Sequence, residues 1–209
     1  MEKSFGKSEK ENGLSEQKTV QLPNRHLWAS GKDTTKSGID FVANIPTEEV
    51  FSMPYKYGVD GIVYASKPLN YGGTLIENFS LTFKDGKIID FTAETGVEAL
   101  KNLINTDEGA KYLGEIALVP YDSPISNSNI LFYNTLFDEN ASCHLAIGQA
   151  YPSCIEEGDT LNKQQMEEAG MNDSLVHVDF MFGTKDLDIV GVDSFGNTEQ
   201  IFKNGNWSI

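Results

Sequence analysis

Two dipeptides constrain the fold of this chain more than any other feature: Asp85-Gly86 and Asn204-Gly205, each set between short runs of alternating apolar residues. Asp-Gly and Asn-Gly readily adopt the positive φ angles of a tight primed turn, so each dipeptide predicts a β-hairpin. Ser80-Leu81-Thr82-Phe83 should pair with Ile88-Ile89-Asp90-Phe91, and Gln200-Ile201-Phe202-Lys203 with Trp207-Ser208-Ile209. Alternation over residues 38–43, 62–65, 144–151, 174–183 and 188–192 adds further strands. Helices are expected over residues 96–105, where Val97, Leu100, Leu103 and Ile104 share a face and Thr95 offers a capping oxygen, and over residues 129–137. The outcome is a strand-rich α+β domain with a few helices and no internal repeat.

A chain of 209 residues can bury a substantial core. Residues 1–21 are rich in Lys, Glu, Ser and Gly without a sustained period, and are expected to be disordered or loosely docked; the folded domain is expected over 22–209. A formal charge of −15 excludes a phosphate-binding surface and so a nucleic-acid partner. No charged-then-apolar leader and no long apolar span is present, so a soluble, cytoplasmic protein without membrane association is expected. The two cysteines, Cys143 and Cys154, lack a second pair at zinc-finger spacing and read as reduced packing thiols.

Candidate chemistry collects in four segments. In Ser174-Leu175-Val176-His177-Val178-Asp179-Phe180-Met181, a strand would project His177 and Asp179 from one face while Val176, Val178 and Phe180 anchor the other. An imidazole and a carboxylate so placed can converge on one cation, although His-x-Asp alone also describes a surface histidine. His144 opens an alternating stretch that ends at Tyr151, and a histidine where water is scarce needs a partner for its ring nitrogens. Asn44-Ile45-Pro46-Thr47-Glu48-Glu49-Val50-Phe51 places paired carboxylates where Pro46 stops a strand, and Tyr112-Leu113-Gly114-Glu115-Ile116 puts Glu115 at the mouth of an apolar strand. Each glutamate alone also fits a solvated loop end. A Cys143–His144 nucleophilic pair is disfavoured, because adjacent strand residues point to opposite faces.

These segments, with Leu131-Phe132-Tyr133-Asn134-Thr135-Leu136-Phe137-Asp138-Glu139-Asn140-Ala141-Ser142-Cys143-His144 and Gly170-Met171-Asn172-Asp173, give a chain that resembles the aminopeptidase T, PepS and AmpS type of bacterial metallo-aminopeptidase from about Leu22 to Ile209. The resemblance implies two divalent metal ions, zinc, cobalt or similar, held by Glu49, Glu115, His144, Tyr151, His177 and Asp179. It further implies a cytoplasmic homodimer that releases N-terminal amino acids from peptides. Family members carry a separate α/β domain ahead of this half, and no such pattern opens this chain, so a truncated product or one part of a split protein is expected.

Such a ligand set suits carbonyl polarisation and water activation. Glu48 or Glu115 would move the proton, and Tyr151 would ligate metal or support the developing oxyanion. Two rival readings remain at this level: a non-catalytic metal-binding or interaction domain derived from such an enzyme, and hydrolysis of another amide or ester, since fold does not fix substrate.

Overall fold

The structure, a computed structural model, describes residues 7–8, 16–42 and 47–209. Ala43, Asn44, Ile45 and Pro46 of the predicted strand and loop, and most of the predicted tail, lie outside the described residues. Within them, two antiparallel sheets carry the fold. One has the order Lys87–Thr92, Ser80–Lys84, Val59–Tyr64, Thr19–Val20, and the other the order His177–Met181, His144–Gly148, Leu113–Leu118, Val50–Ser52, Ala29–Ser30. A third sheet, Ile189–Val192, Thr198–Lys203 and Asn206–Trp207, ends the chain.

Both predicted hairpins are present. Asp85 and Gly86 have φ of 48° and 79°, Asn204 and Gly205 have φ of 49° and 74°, as a primed turn requires. Gly86 is further demanded by packing, because a Cβ there would lie 1.8 Å from the Lys56 carbonyl oxygen.

One cluster of buried side chains joins the first two sheets. Leu81 and Phe83 of one meet Ile116, Leu145, Ile147 and Phe180 of the other, and the rings of Phe79 and Phe180 lie 5.6 Å apart in a tilted contact. Burying such side chains removes apolar surface from water, which stabilises the packing by about 25 cal/mol per Å². Val20 also belongs to this cluster.

Several boundaries differ from expectation. The first helix spans Val97–Ile104, and its N-cap is Gly96 at φ 75° with no side-chain cap. Thr95 does not supply the oxygen, since its backbone pairs with Glu77 and the chain turns one residue later. Leu100, Leu103 and Ile104 are buried as expected, but Val97 is exposed. The single helix expected over 129–137 is replaced by two short ones, Pro124–Ser128 and Thr135–Asp138. Asn129 at φ 53° closes the first of them. The Asp138 carboxylate accepts hydrogen bonds from the backbone N–H groups of Phe132 and Asn134, which favours a loop between them over a continuous helix. Two strands are shorter than their predicted ranges: His144–Gly148 stops three residues before Tyr151, and His177–Met181 starts three residues after Ser174.

Candidate metal centre

The register of the five-stranded sheet decides where the chemistry goes. Ala117 pairs with both His144 and Phe51, Ala146 pairs with Glu115 and Asp179, and Gly148 pairs with His177. Directly paired residues point to the same face, as do residues two apart on one strand. His144, Glu115, Asp179 and His177 therefore rise from one face, with Ala117, Ala146 and Gly148 between them. Glu49, two residues before Phe51, joins the same wall. The other face of these strands carries Leu145, Ile147, Ile116 and Phe180 into the core.

A β-bulge makes this partition possible. Leu113 and Glu115 are two apart and would share a face on a regular strand, but the register shifts between them. Leu113 consequently enters the core, 1% exposed, while Glu115 faces the cavity. The extra residue is Gly114, whose hypothetical Cβ would lie 2.1 Å from the Gln149 carbonyl oxygen. Only glycine admits that carbonyl, and the same oxygen lies 2.7 Å from His177 Nδ1.

The donor atoms converge closely. His144 Nε2 lies 3.3 Å from Glu49 Oε2 and 3.4 Å from Glu115 Oε1; His177 Nε2 lies 3.7 Å from Glu115 Oε2 and 3.3 Å from Asp179 Oδ1. Glu115 thus presents one oxygen to each imidazole. Both rings are oriented from behind: His144 Nδ1 faces the Ser142 carbonyl at 3.3 Å, and His177 Nδ1 faces the Gln149 carbonyl. A carbonyl only accepts, so Nδ1–H donates, and Nε2 of a neutral ring is left as a lone-pair donor pointing into the cluster.

Three groupings place their ligand atoms within 4.8 Å of one another: Glu49, Glu115 and His144; Glu115, His177 and Asp179; Glu139, His144 and Asp179. Glu139 was not anticipated from the sequence. It sits in the short helical turn Glu139–Ala141, where no strand or helix period marks it; its place five residues before His144 was the sole available signal. Tyr151 lies at the rim, its ring centroid 4.6 Å from that of His177. Glu48 is exposed, its backbone N–H donates to Asn140 Oδ1, and its side chain is not among the lining of the cavity.

Concentrated acidity in a buried place shifts the ionisation of these groups. Burial pushes the Glu115 carboxyl up, against the pull of His144. Burial followed by the charge of Asp179 pushes Glu139 up to about 8. Burial works against the charged form of both histidines, yet carboxylates outweigh it: Glu115 and Glu49 raise His144 well above the ordinary imidazole range, and Asp179 raises His177 to about 9. Asp179 is held low, because the hydrogen bond to His177 overcomes its burial. Burial raises the Tyr151 hydroxyl to about 12, so it stays protonated at neutral pH.

The residues present fit a metal. Glu49 Oε2 and His144 Nε2 are buried, face each other at 3.3 Å, and lack the alignment of a hydrogen bond, so neither atom is satisfied. Two buried polar atoms without hydrogen-bond partners beside a shared carboxylate are costly, and a cation held between them would satisfy both. Imidazole and carboxylate together suit borderline divalent ions. The cluster opens into a cavity of 460 Å³ whose lining includes Glu49, Phe51, Glu115, Glu139, Tyr151, His177 and Asp179. Cys143 is buried on the core side and bonds to Val119, so it does not form a dyad with His144.

Comparison with known proteins agrees with this chemistry. A family model described as thermophilic metalloprotease (M29) matches residues 5–207. The chain is 58% identical over 190 residues to aminopeptidase AmpS of Bacillus subtilis (strain 168) and 44% identical over 193 residues to aminopeptidase T of Thermus thermophilus, covering 91% of this chain and 46% of each relative. A solved structure, wild-type AmpT from Thermus thermophilus, superimposes with a TM-score of 0.88 at 41% identity, covering all of this chain and 50% of that one. The chain therefore spans about half the length of the curated relatives it matches.

Proposed function

This chain belongs to the thermophilic metalloprotease (M29) family, and from that premise we propose that it forms the metal-binding part of an aminopeptidase that releases N-terminal residues from peptides. The observation that carries the reading is the shared carboxylate: Glu115 faces His144 with one oxygen and His177 with the other. On this reading Glu49, Glu115 and His144 would hold one divalent ion and Glu115, His177 and Asp179 a second, with Glu139 as a further ligand within reach of His144 and Asp179. Zinc and cobalt suit the donor set.

Bound divalent ions supply Lewis acidity that polarises a carbonyl and lowers the pKa of water. The protein's own groups do the rest. The carboxylate-rich wall attracts a substrate's terminal ammonium and confines cleavage to the chain end. The Glu139 carboxyl, raised to about 8 in the metal-free chain, holds its proton at neutral pH and is suited to deliver it to the departing amine and to recover one from the water consumed. The Tyr151 hydroxyl at the rim keeps its proton and can donate to the carbonyl oxygen as negative charge develops there. A cytoplasmic homodimer, as the sequence resemblance implies, completes the reading. Among the described residues no helix is long and apolar enough to cross a membrane.

Release of p-nitroaniline from a leucyl anilide by the zinc- or cobalt-loaded chain, abolished by chelation, tests the reading. Glu115→Gln and His177→Ala should each abolish turnover with an unchanged circular dichroism spectrum. Stoichiometric metal binding without turnover would replace the proposal with a non-catalytic metal-binding domain.

A further inference from the structure

We infer that Lys32 recognises the C-terminal carboxylate of very short peptides, giving the cavity a preference for di- and tripeptides. The inference rests on the aminopeptidase reading and names the substrate class of that same site. Among the described residues that line the cavity, Glu49, Glu115, Glu139 and Asp179 are acidic and Lys32 is the one Lys or Arg side chain. A peptide entering amine first would bring its terminal carboxylate into a lining that offers it no other Lys or Arg, and Lys32 is the group able to pair with it.

Its place in the sheet sets the length of peptide it can reach. Ala29–Ser30 forms the edge opposite His177–Met181, and Ser30 pairs with Val50, beside Glu49. Lys32 follows by two residues, so the lysine stands on the Glu49 side of the cavity. Lys32 and Glu115 line one cavity of 460 Å³. An extended chain advances about 3.5 Å per residue, so a peptide held by its amine at the shared carboxylate and by its terminal carboxylate at the lysine is only a few residues long.

The backbone beneath Lys32 is tightly placed. A Cβ on Gly31 would lie 2.3 Å from Thr47 Cγ2, so only glycine lets this segment lie so close to the wall that carries Glu49. Lys32 Nζ is held 2.8 Å from Asp40 Oδ2 across the hairpin Lys32–Thr34 and Asp40–Val42, and Thr34 Oγ1 donates to Asp40 Oδ1. Both partners of the ion pair are more than half exposed. Exposed pairs of this kind are weak and exchangeable, so a substrate carboxylate can take the place of Asp40 without a large penalty.

The test compares Leu-Gly with Leu-Gly amide, which differ only in the terminal charge, on the zinc-loaded chain. The kcat/KM ratio of acid over amide is expected to exceed one by about two- to fivefold, carried mainly by KM. Lys32→Ala should bring the ratio to one or below, Lys32→Glu should lower it further, and Lys32→Arg should retain it. An unchanged ratio in Lys32→Ala, or a wild-type ratio of one, overturns the inference. Where neither peptide is cleaved, the aminopeptidase reading fails instead, and NMR titration with the same two peptides decides the role of Lys32. Tighter binding of the acid, lost in Lys32→Ala, then supports it; equal binding, or binding of neither, overturns it.

Discussion

His144 Nε2 and Glu49 Oε2 face each other at 3.3 Å in a buried setting, and neither atom makes a hydrogen bond. Such an arrangement stores a penalty that a cation removes, so metal binding should be folding free energy here. With zinc at a hundred times its dissociation constant, stability should rise by about 2.7 kcal/mol. For a domain of this size that corresponds to roughly 5–10 °C in Tm. Differential scanning fluorimetry with zinc and with a chelator measures the rise; equal melting in both would remove the metal centre from consideration.

Glu115→Gln keeps the shape of the shared side chain while removing its charge. Bound metal, read by atomic emission, should fall below stoichiometric, and hydrolysis of a leucyl anilide should drop by at least about a hundredfold. The metal-free variant should be less stable than the metal-free wild type, because the amide no longer offsets the charge of the buried His144 ring. Urea unfolding under chelation checks this second half.

Gly114→Ala is expected to act at a distance of one residue. The added methyl meets the Gln149 carbonyl at about 2.1 Å, which must move, and that carbonyl is the acceptor that orients His177. Zinc affinity should weaken by about 10–100-fold, the usual effect of disturbing a group that orients a metal ligand. Competition with a fluorescent chelator provides the measurement, and wild-type affinity in the variant would deny Gly114 this role.

In the absence of metal, stability should fall as pH rises. His177 in the folded chain holds its proton up to about 9, whereas an unfolded histidine releases it near 6.5, so its contribution is complete below 6.5 and is lost toward 9. Glu139, folded near 8 against an ordinary 4.5, also binds its proton more strongly in the folded state and works in the same direction between those values. Urea midpoints under chelation at pH 6.5, 7.5 and 9 should decrease in that order. Zinc should flatten the trend, since ligand deprotonation favours the metal-bound form. A midpoint that climbs with pH under chelation contradicts the assigned ionisation.

Local chemistry made the hairpins legible: Asp85-Gly86 and Asn204-Gly205 adopt the positive φ angles that their residue types favour. The same holds for the shared face of His177 and Asp179, which needs only a regular strand. What the sequence did not reveal depends on tertiary contacts. A regular alternation places Leu113 and Glu115 together, and only the bulge at Gly114, admitted by the close approach of Gln149, sends one to the core and the other to the cavity. The helix expected over 129–137 gave way to a loop because Asp138 accepts the backbone N–H groups of Phe132 and Asn134. Glu139 is not legible in the sequence, since a three-residue helical turn carries no period to read.

Ala117, Ala146 and Gly148 bear no donor atom, yet they sit in register beneath every imidazole and carboxylate contributed by the three adjoining strands. Any longer side chain there would grow into the space between the donor atoms, with every candidate ligand intact. The capacity of this pocket is thus written in missing atoms, and enlarging Ala146 is a route to an inert scaffold that still possesses its full complement of ligands.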